Sequence, residues 1–156
     1  MDLPIPTHLQ AYLKPVGDEN TEFEVRGELY CLCGCEEFEV WESNDRQIVK
    51  AKCKQCGQEI EIFDSGRHGW NGFVCHDDFL DRSLPFNKYT CSECGQDIFK
   101  VSVYISSQGK QDYMEEADDE AFSEDNWVNA FEWISLSLNC KKCSYVENGW
   151  LDMETM

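Results

Sequence analysis

Eight of the ten cysteines in this 156-residue chain fall into four close pairs: Cys31-Leu32-Cys33, Cys53-x-x-Cys56, Cys91-x-x-Cys94 and Cys140-x-x-Cys143. Two thiolates at such spacing reach one metal ion, and two such pairs close a tetrahedral site. Three pairs are followed by glycine (Gly34, Gly57, Gly95). Glycine supplies the positive φ of a turn whose amides point at the sulfurs. A disulfide framework is the competing use of these thiols. Against it, Met1–His8 has no basic region leading into an apolar one, and no apolar run approaches the ~18 residues that span a bilayer. A reducing cytoplasm is therefore expected, where thiols bind metal or stay free.

Nineteen residues separate Cys33 from Cys53, within the spacing of a four-cysteine zinc site. Forty-five separate Cys94 from Cys140, so the second copy carries 26 more. The expected ligands are Cys31, Cys33, Cys53 and Cys56 for one Zn²⁺, and Cys91, Cys94, Cys140 and Cys143 for another. Cys35 is an alternative to Cys31 in the first set. The glycine pattern favours Cys31, since Gly34 then follows the second thiolate as Gly57 and Gly95 do. Four protein thiolates leave no position for water or substrate, so both ions are expected to be structural.

Other reactive side chains cluster between the repeats: His68, Cys75, His76, Asp77 and Asp78. Such groups could build a third, open metal site or a Cys-His nucleophile pair. Their spacing matches no mechanism, and adjacent Cys75 and His76 would point to opposite faces of a strand. Ordinary packing is the expected role. The spare thiols, Cys35 and Cys75, are expected to be free and buried rather than bridged.

The elements that must position these residues read as β. Phe99, Val101, Val103 and Ile105 alternate with Lys100, Ser102 and Tyr104, and Ile134, Leu136 and Leu138 alternate with Ser135 and Ser137. Ile60 and Ile62 continue the first copy. The surroundings repeat too: Tyr30-Cys31 through Phe38-Glu39-Val40 lines up with Tyr89-Thr90-Cys91 through Phe99-Lys100-Val101, a duplicated supersecondary unit. The expected fold is mainly β (small α+β): two tandem four-cysteine zinc ribbons with an acidic, partly helical insertion in the second. Residues 1–26 form an N-terminal extension, 27–64 the first ribbon, 65–88 an ordered connector and 89–152 the second ribbon, with its insertion at 106–130. The connector holds Trp70, Phe73, Val74, Phe79 and Leu80, too apolar for a flexible linker, and is expected to pack between the ribbons. Within the insertion, Met114–Phe122 has helix-forming composition, and Ser123 and Asn126 could cap a turn before Trp127.

Charge narrows the function. There are 31 Asp plus Glu against 13 Lys plus Arg, a formal −18. Phosphates would be repelled, which argues against nucleic-acid and anionic-membrane partners. Lys50, Lys52 and Lys54 share a strand face, expected to be merely solvated. Eight carboxylates lie in the fourteen positions Asp112–Asp125, with no base among them. Such a run keeps a protein soluble, or offers a surface to a basic protein partner.

Both repeats resemble the zinc-ribbon superfamily, over about Gly27–Asp64 and Lys88–Asp152. The stretches Ile62-Phe63-Asp64-Ser65-Gly66-Arg67-His68-Gly69-Trp70-Asn71-Gly72 and Phe131-Glu132-Trp133-Ile134, with the Trp150–Met156 end, resemble small uncharacterised double zinc-ribbon proteins of Gram-positive bacteria. The resemblance implies a bacterial, cytoplasmic protein with structural zinc and brings no activity with it. Transcript-cleavage elongation factors of the wider superfamily carry an Asp-Glu pair on a hairpin between their knuckles. Here Asp119-Glu120 lies in the corresponding interval, within a segment that is acidic throughout. The expected role is a protein–protein interaction module. The alternatives are a transcription-associated accessory factor using the insertion, or an enzyme with a third site around His68, Cys75 and His76.

Overall fold

The computed structural model describes residues 2–75, 79–117 and 123–156. Among these the chain is mainly β. Its strands are β1 (Leu13–Pro15), β2 (Glu24–Leu29), β3 (Phe38–Ser43), β4 (Ile48–Cys53), β5 (Glu59–Asp64), β6 (Asn87–Lys88), β7 (Phe99–Ser106), β8 (Trp133–Cys140) and β9 (Val146–Glu154). The alternation in the sequence decides their faces. Val101, Val103 and Ile105 of β7 are buried, set in antiparallel register beside Leu138, Leu136 and Ile134 of β8. Each such side chain taken from water contributes about 1.5–3 kcal/mol.

Each repeat is an antiparallel meander: β3–β4–β5 in the first, β7–β8–β9 in the second. One cysteine pair precedes each meander's first strand, and the other sits where its second strand turns into its third.

The repeats are not laid side by side. β2, which leads into the first cysteine pair, hydrogen-bonds to β7 of the second repeat. β6, which leads into the third pair, bonds to β3 of the first repeat. Between these exchanged strands, β3 and β7 meet at one position, Phe38 opposite Phe99. A single sheet results, and a single buried cluster draws Phe38, Val40 and Ile60 together with Phe99, Val101 and Leu136.

The β3–β4 hairpin turns through three consecutive residues with positive φ, Asn44, Asp45 and Arg46 (53°, 53° and 68°). Left-handed backbone at non-glycine residues persists only where the surroundings hold it. Arg46 supplies the hold: it donates to the Trp150 carbonyl, lies 4.2 Å over the Trp150 ring, and pairs with Glu42 at 2.8 Å.

The stretch between β7 and β8 forms a small second core. Helix α1 (Lys110–Glu116) and a 3-10 turn (Glu124–Asn129) bury Tyr113, Trp127 and Val128 against Trp70, Phe73 and Val74. The helix therefore starts four residues before Met114, immediately after Gly109. Burial of Tyr113 accounts for that start, since the anchor lies N-terminal to the stretch of best composition. Ser123 precedes the 3-10 turn but makes no side-chain cap there. Ala117 ends the helix, and residues 118–122 of the expected helix, including Asp119-Glu120, lie outside the described residues.

In the stretch after Asp64, the Trp70–Val74 turn packs on the segment between β7 and β8, with Trp70 N–H donating to Phe131 O (2.9 Å) and Asn71 N–H to Thr155 O (2.7 Å), whereas Phe79, one of the apolar residues expected to pack, is 91% exposed.

Candidate metal centres

The four cysteine pairs fold into closely related turns. In three of them the first cysteine's N–H donates to the carbonyl five residues on: Cys53 to Gln58 (2.9 Å), Cys91 to Gln96 (2.6 Å) and Cys140 to Tyr145 (2.9 Å). The carbonyl of that cysteine accepts from the residue after the second one: Gly57 (3.0 Å), Gly95 (2.8 Å) and Ser144 (3.0 Å). The Cys31 turn is one residue shorter, as its C-x-C spacing requires, so Cys31 N–H reaches Cys35 O and Gly34 N–H reaches Cys31 O, both at 2.9 Å. The residue after the second cysteine is left-handed in all four: Gly34 (92°), Gly57 (77°), Gly95 (75°) and Ser144 (64°). Three of these were legible as glycines. The fourth is a serine, so the shared geometry was hidden by residue type.

These turns bring eight thiols into two sets. Within each, the four Sγ atoms lie within 4.8 Å of one another. In the first, Cys31 stands 3.3 Å from Cys56 and Cys33 3.6 Å from Cys53. In the second, Cys91 is 3.7 Å from Cys143 and Cys94 3.4 Å from Cys140. A tetrahedral ion with bonds of about 2.3 Å to sulfur has S···S edges of about 3.8 Å, whereas a disulfide would need about 2 Å. The spacing excludes disulfides and suits four sulfurs that could share one ion.

Cys35 stands outside the first set. Its Sγ turns back on its own chain, accepting from Glu37 N–H at 3.4 Å, and the thiol is half-buried. Cys75 is exposed. The expectation of two buried spare thiols is thus corrected. Cys75 ends the Trp70–Val74 turn with its side chain away from the second core, and Cys35 is held at the rim of a tight turn.

Local dipoles prepare each set for a cation. Burial pushes the Cys53 thiol up, but the Cys56 and Gln55 amides and the adjacent sulfurs outweigh it and draw the group down to about 6. At Cys140 burial is likewise outweighed, by the Cys143 and Lys142 amides and the sulfurs of Cys94 and Cys143, with the same result of about 6. Burial lifts Cys31 to about 12. At Cys143 the Tyr145 amide pulls down, but burial and the three other sulfurs raise it to about 12. One thiol in each set ionises readily, then, while another, Cys31 in the first and Cys143 in the second, is held in its neutral form. A divalent cation is what lets all four be thiolates together. Cys31, Cys33, Cys53 and Cys56 could hold one such ion, and Cys91, Cys94, Cys140 and Cys143 a second. A bound ion would supply cross-linking of two distant turns, and no open coordination position.

The remaining candidates are placed differently. His68 is stacked on His8, with ring centroids 3.7 Å apart and planes within 5°. Its Nδ1 accepts from Asp64 N–H at 2.9 Å, while His8 Nε2 lies 2.8 Å from the Ile62 carbonyl. Burial, then the neighbouring His8, lowers His68 to about 3, so the ring is a neutral hydrogen-bond acceptor. Among the described residues no metal-ligand group other than the two thiol sets is formed. His76, Asp77 and Asp78 lie outside the described residues. His8 had no signal in the sequence, because its partner is sixty residues away and shares no pattern with it.

No protein-family model, curated protein or solved structure matches the chain.

Proposed function

We propose that this chain is a structural-zinc protein of the bacterial cytoplasm, built from two zinc ribbons that share one sheet, and that it works as a protein–protein interaction module. The gathering of eight thiols into two four-sulfur sets, each within 4.8 Å and with two contacts of 3.3–3.7 Å, carries the zinc reading. Each set is closed by protein ligands, so the ions hold the fold rather than activate water. An apparent ~10–16 kcal/mol per structural zinc exceeds the whole stability of many small domains. The formal −18, which two zinc tetrathiolates would take to about −22, supports a basic partner steered by the field of the protein.

Metal analysis of protein purified without added metal tests the zinc reading. The expected result is two zinc per chain, one for Cys33→Ser, and two for Cys35→Ser. Iron in place of zinc, or full metal content in Cys33→Ser, would overturn it. Capture of a partner from native cytosol, weakening as salt rises, tests the interaction role.

A further inference from the structure

The solvent face of the sheet carries a row of groups assembled by register alone. Across β2, β7, β8 and β9, Glu24 stands opposite Ser106, Ser106 opposite Trp133, and Trp133 opposite Glu154. In the next row Arg26 faces Tyr104, Tyr104 faces Ser135, and Ser135 faces Asp152. Between the rows opens a cavity of about 300 Å³, lined by Tyr104, Ser106, Glu132, Trp133, Glu154 and Met156. It combines two aromatic rings, two carboxylates and a thioether.

Three observations define what would fit there. The aromatic walls are pinned: the Trp133 indole N–H donates to Asp152, and the Tyr104 hydroxyl donates to Glu24 at 3.0 Å. One ring already receives a cation, since the Arg26 guanidinium lies 4.5 Å over Tyr104. The carboxylates at the cavity lack a counter-charge: among the described residues, no Lys, Arg or His lies in ion-pair contact with Glu132 or Glu154. Glu132 is held by Ser106, whose hydroxyl donates to it at 3.0 Å. Rings that attract cations through their quadrupole, beside unneutralised carboxylates, select an Arg or Lys side chain.

The geometry points to this groove as the docking site for a basic segment of a protein partner, with one Arg or Lys side chain seated between Tyr104 and Trp133 and facing Glu132 and Glu154. It rests on the interaction-module reading and moves the contact from the acidic run at Asp112–Asp125 to the outer face of β7–β9.

The zinc-loaded full chain titrated with an octa-arginine peptide at 0.15 M salt tests it, read by the Trp133 indole N–H resonance, which Trp133→Phe identifies. At that salt, charges more than about 8 Å away are largely screened. A saturable shift is expected, weakened about tenfold or more by Glu132→Gln with Glu154→Gln. The same loss of charge on α1, by Glu115→Gln with Glu116→Gln, is expected to weaken it less than about threefold. An unmoved Trp133 resonance overturns the proposal, and so does equal weakening by both variants, which would mean general attraction. Free L-arginine binding as tightly as the peptide would make the groove a small-cation site and also overturn it. A partner captured from cytosol equally well by wild type and by the Glu132→Gln, Glu154→Gln variant would keep the module reading and discard the groove.

Discussion

Phe38 and Phe99 face each other across β3 and β7, and each holds the same place in its own repeat. Both are also register partners of a cysteine, Phe38 of Cys53 and Phe99 of Cys140. Equivalent residues paired in antiparallel strands imply a local two-fold axis between them. The axis extends to charge. Lys88 sits between Glu39 (3.9 Å) and Asp97 (2.8 Å), and Lys100 between Glu28 (3.0 Å) and Glu36 (3.6 Å). These two triads occupy equivalent positions, with the lysine on the exchanged strand in one and on the meander in the other.

Inverting one triad should therefore be reversible. Lys88→Glu brings a third carboxylate to Glu39 and Asp97 and is expected to lower the denaturation midpoint. Adding Glu39→Lys recreates the order found in the other triad and should restore most of the loss at low salt. If the double variant is no better than the single one, the equivalence of the triads has no energetic content.

The shared core predicts that damage crosses between the repeats. Phe38 is fully buried, and Phe38→Ala is expected to cost about 3–5 kcal/mol. Because Phe38 abuts Phe99, the second centre should also lose its metal at lower chelator concentration, although its ligands are untouched. Metal release from the first centre alone would show that the repeats behave independently.

The left-handed serine offers a stabilising change. Ser144→Gly should raise stability by about 1 kcal/mol by removing the Cβ from a φ that disfavours it. The converse, Gly57→Ala, should cost about as much while keeping two metals per chain, since nothing stands within 4 Å of the added Cβ. Denaturant melts of the metal-loaded variants give both numbers.

His68 makes a pH prediction. Its pKa in the fold is lowered from 6.5 to about 3, chiefly by burial. The folded form binds its proton less readily than the unfolded one. The ring's contribution to stability is therefore complete above pH 6.5 and falls away as pH drops from 6.5 toward 3. In a ¹H–¹³C titration of the metal-loaded protein, the His68 ring should stay in its neutral state from pH 8 down to 5, whereas an ordinary histidine would be largely protonated by 5. A midpoint near 6.5 would contradict the stacked, buried arrangement.

What could be read from the sequence was whatever is local. Cysteine spacing and the following glycines marked the turns, and two-residue alternation marked β7 and β8, because those signals come from backbone geometry and a buried face. Long-range partners left no such trace. β6 is only Asn87 and Lys88, both exposed, so nothing in its composition announces a strand or its bond to β3. The Arg46 hold on Trp150 joins residues more than a hundred positions apart. The outer groove has no signature in the sequence, because Tyr104, Trp133 and Glu154 read singly as the outward side of three strands; register alone brings them together.

The exchange of β2 and β6 gives a single repeat an unfinished edge. Cut from its neighbour, the first meander would lose β6 from β3, and the second would lose β2 from β7. Each would expose unpaired N–H and C=O groups that invite another strand. A second copy of the same repeat could provide it by the same reciprocal trade. In architecture, the chain is a strand-swapped dimer whose two halves have been made covalent, so that mutual completion no longer depends on concentration.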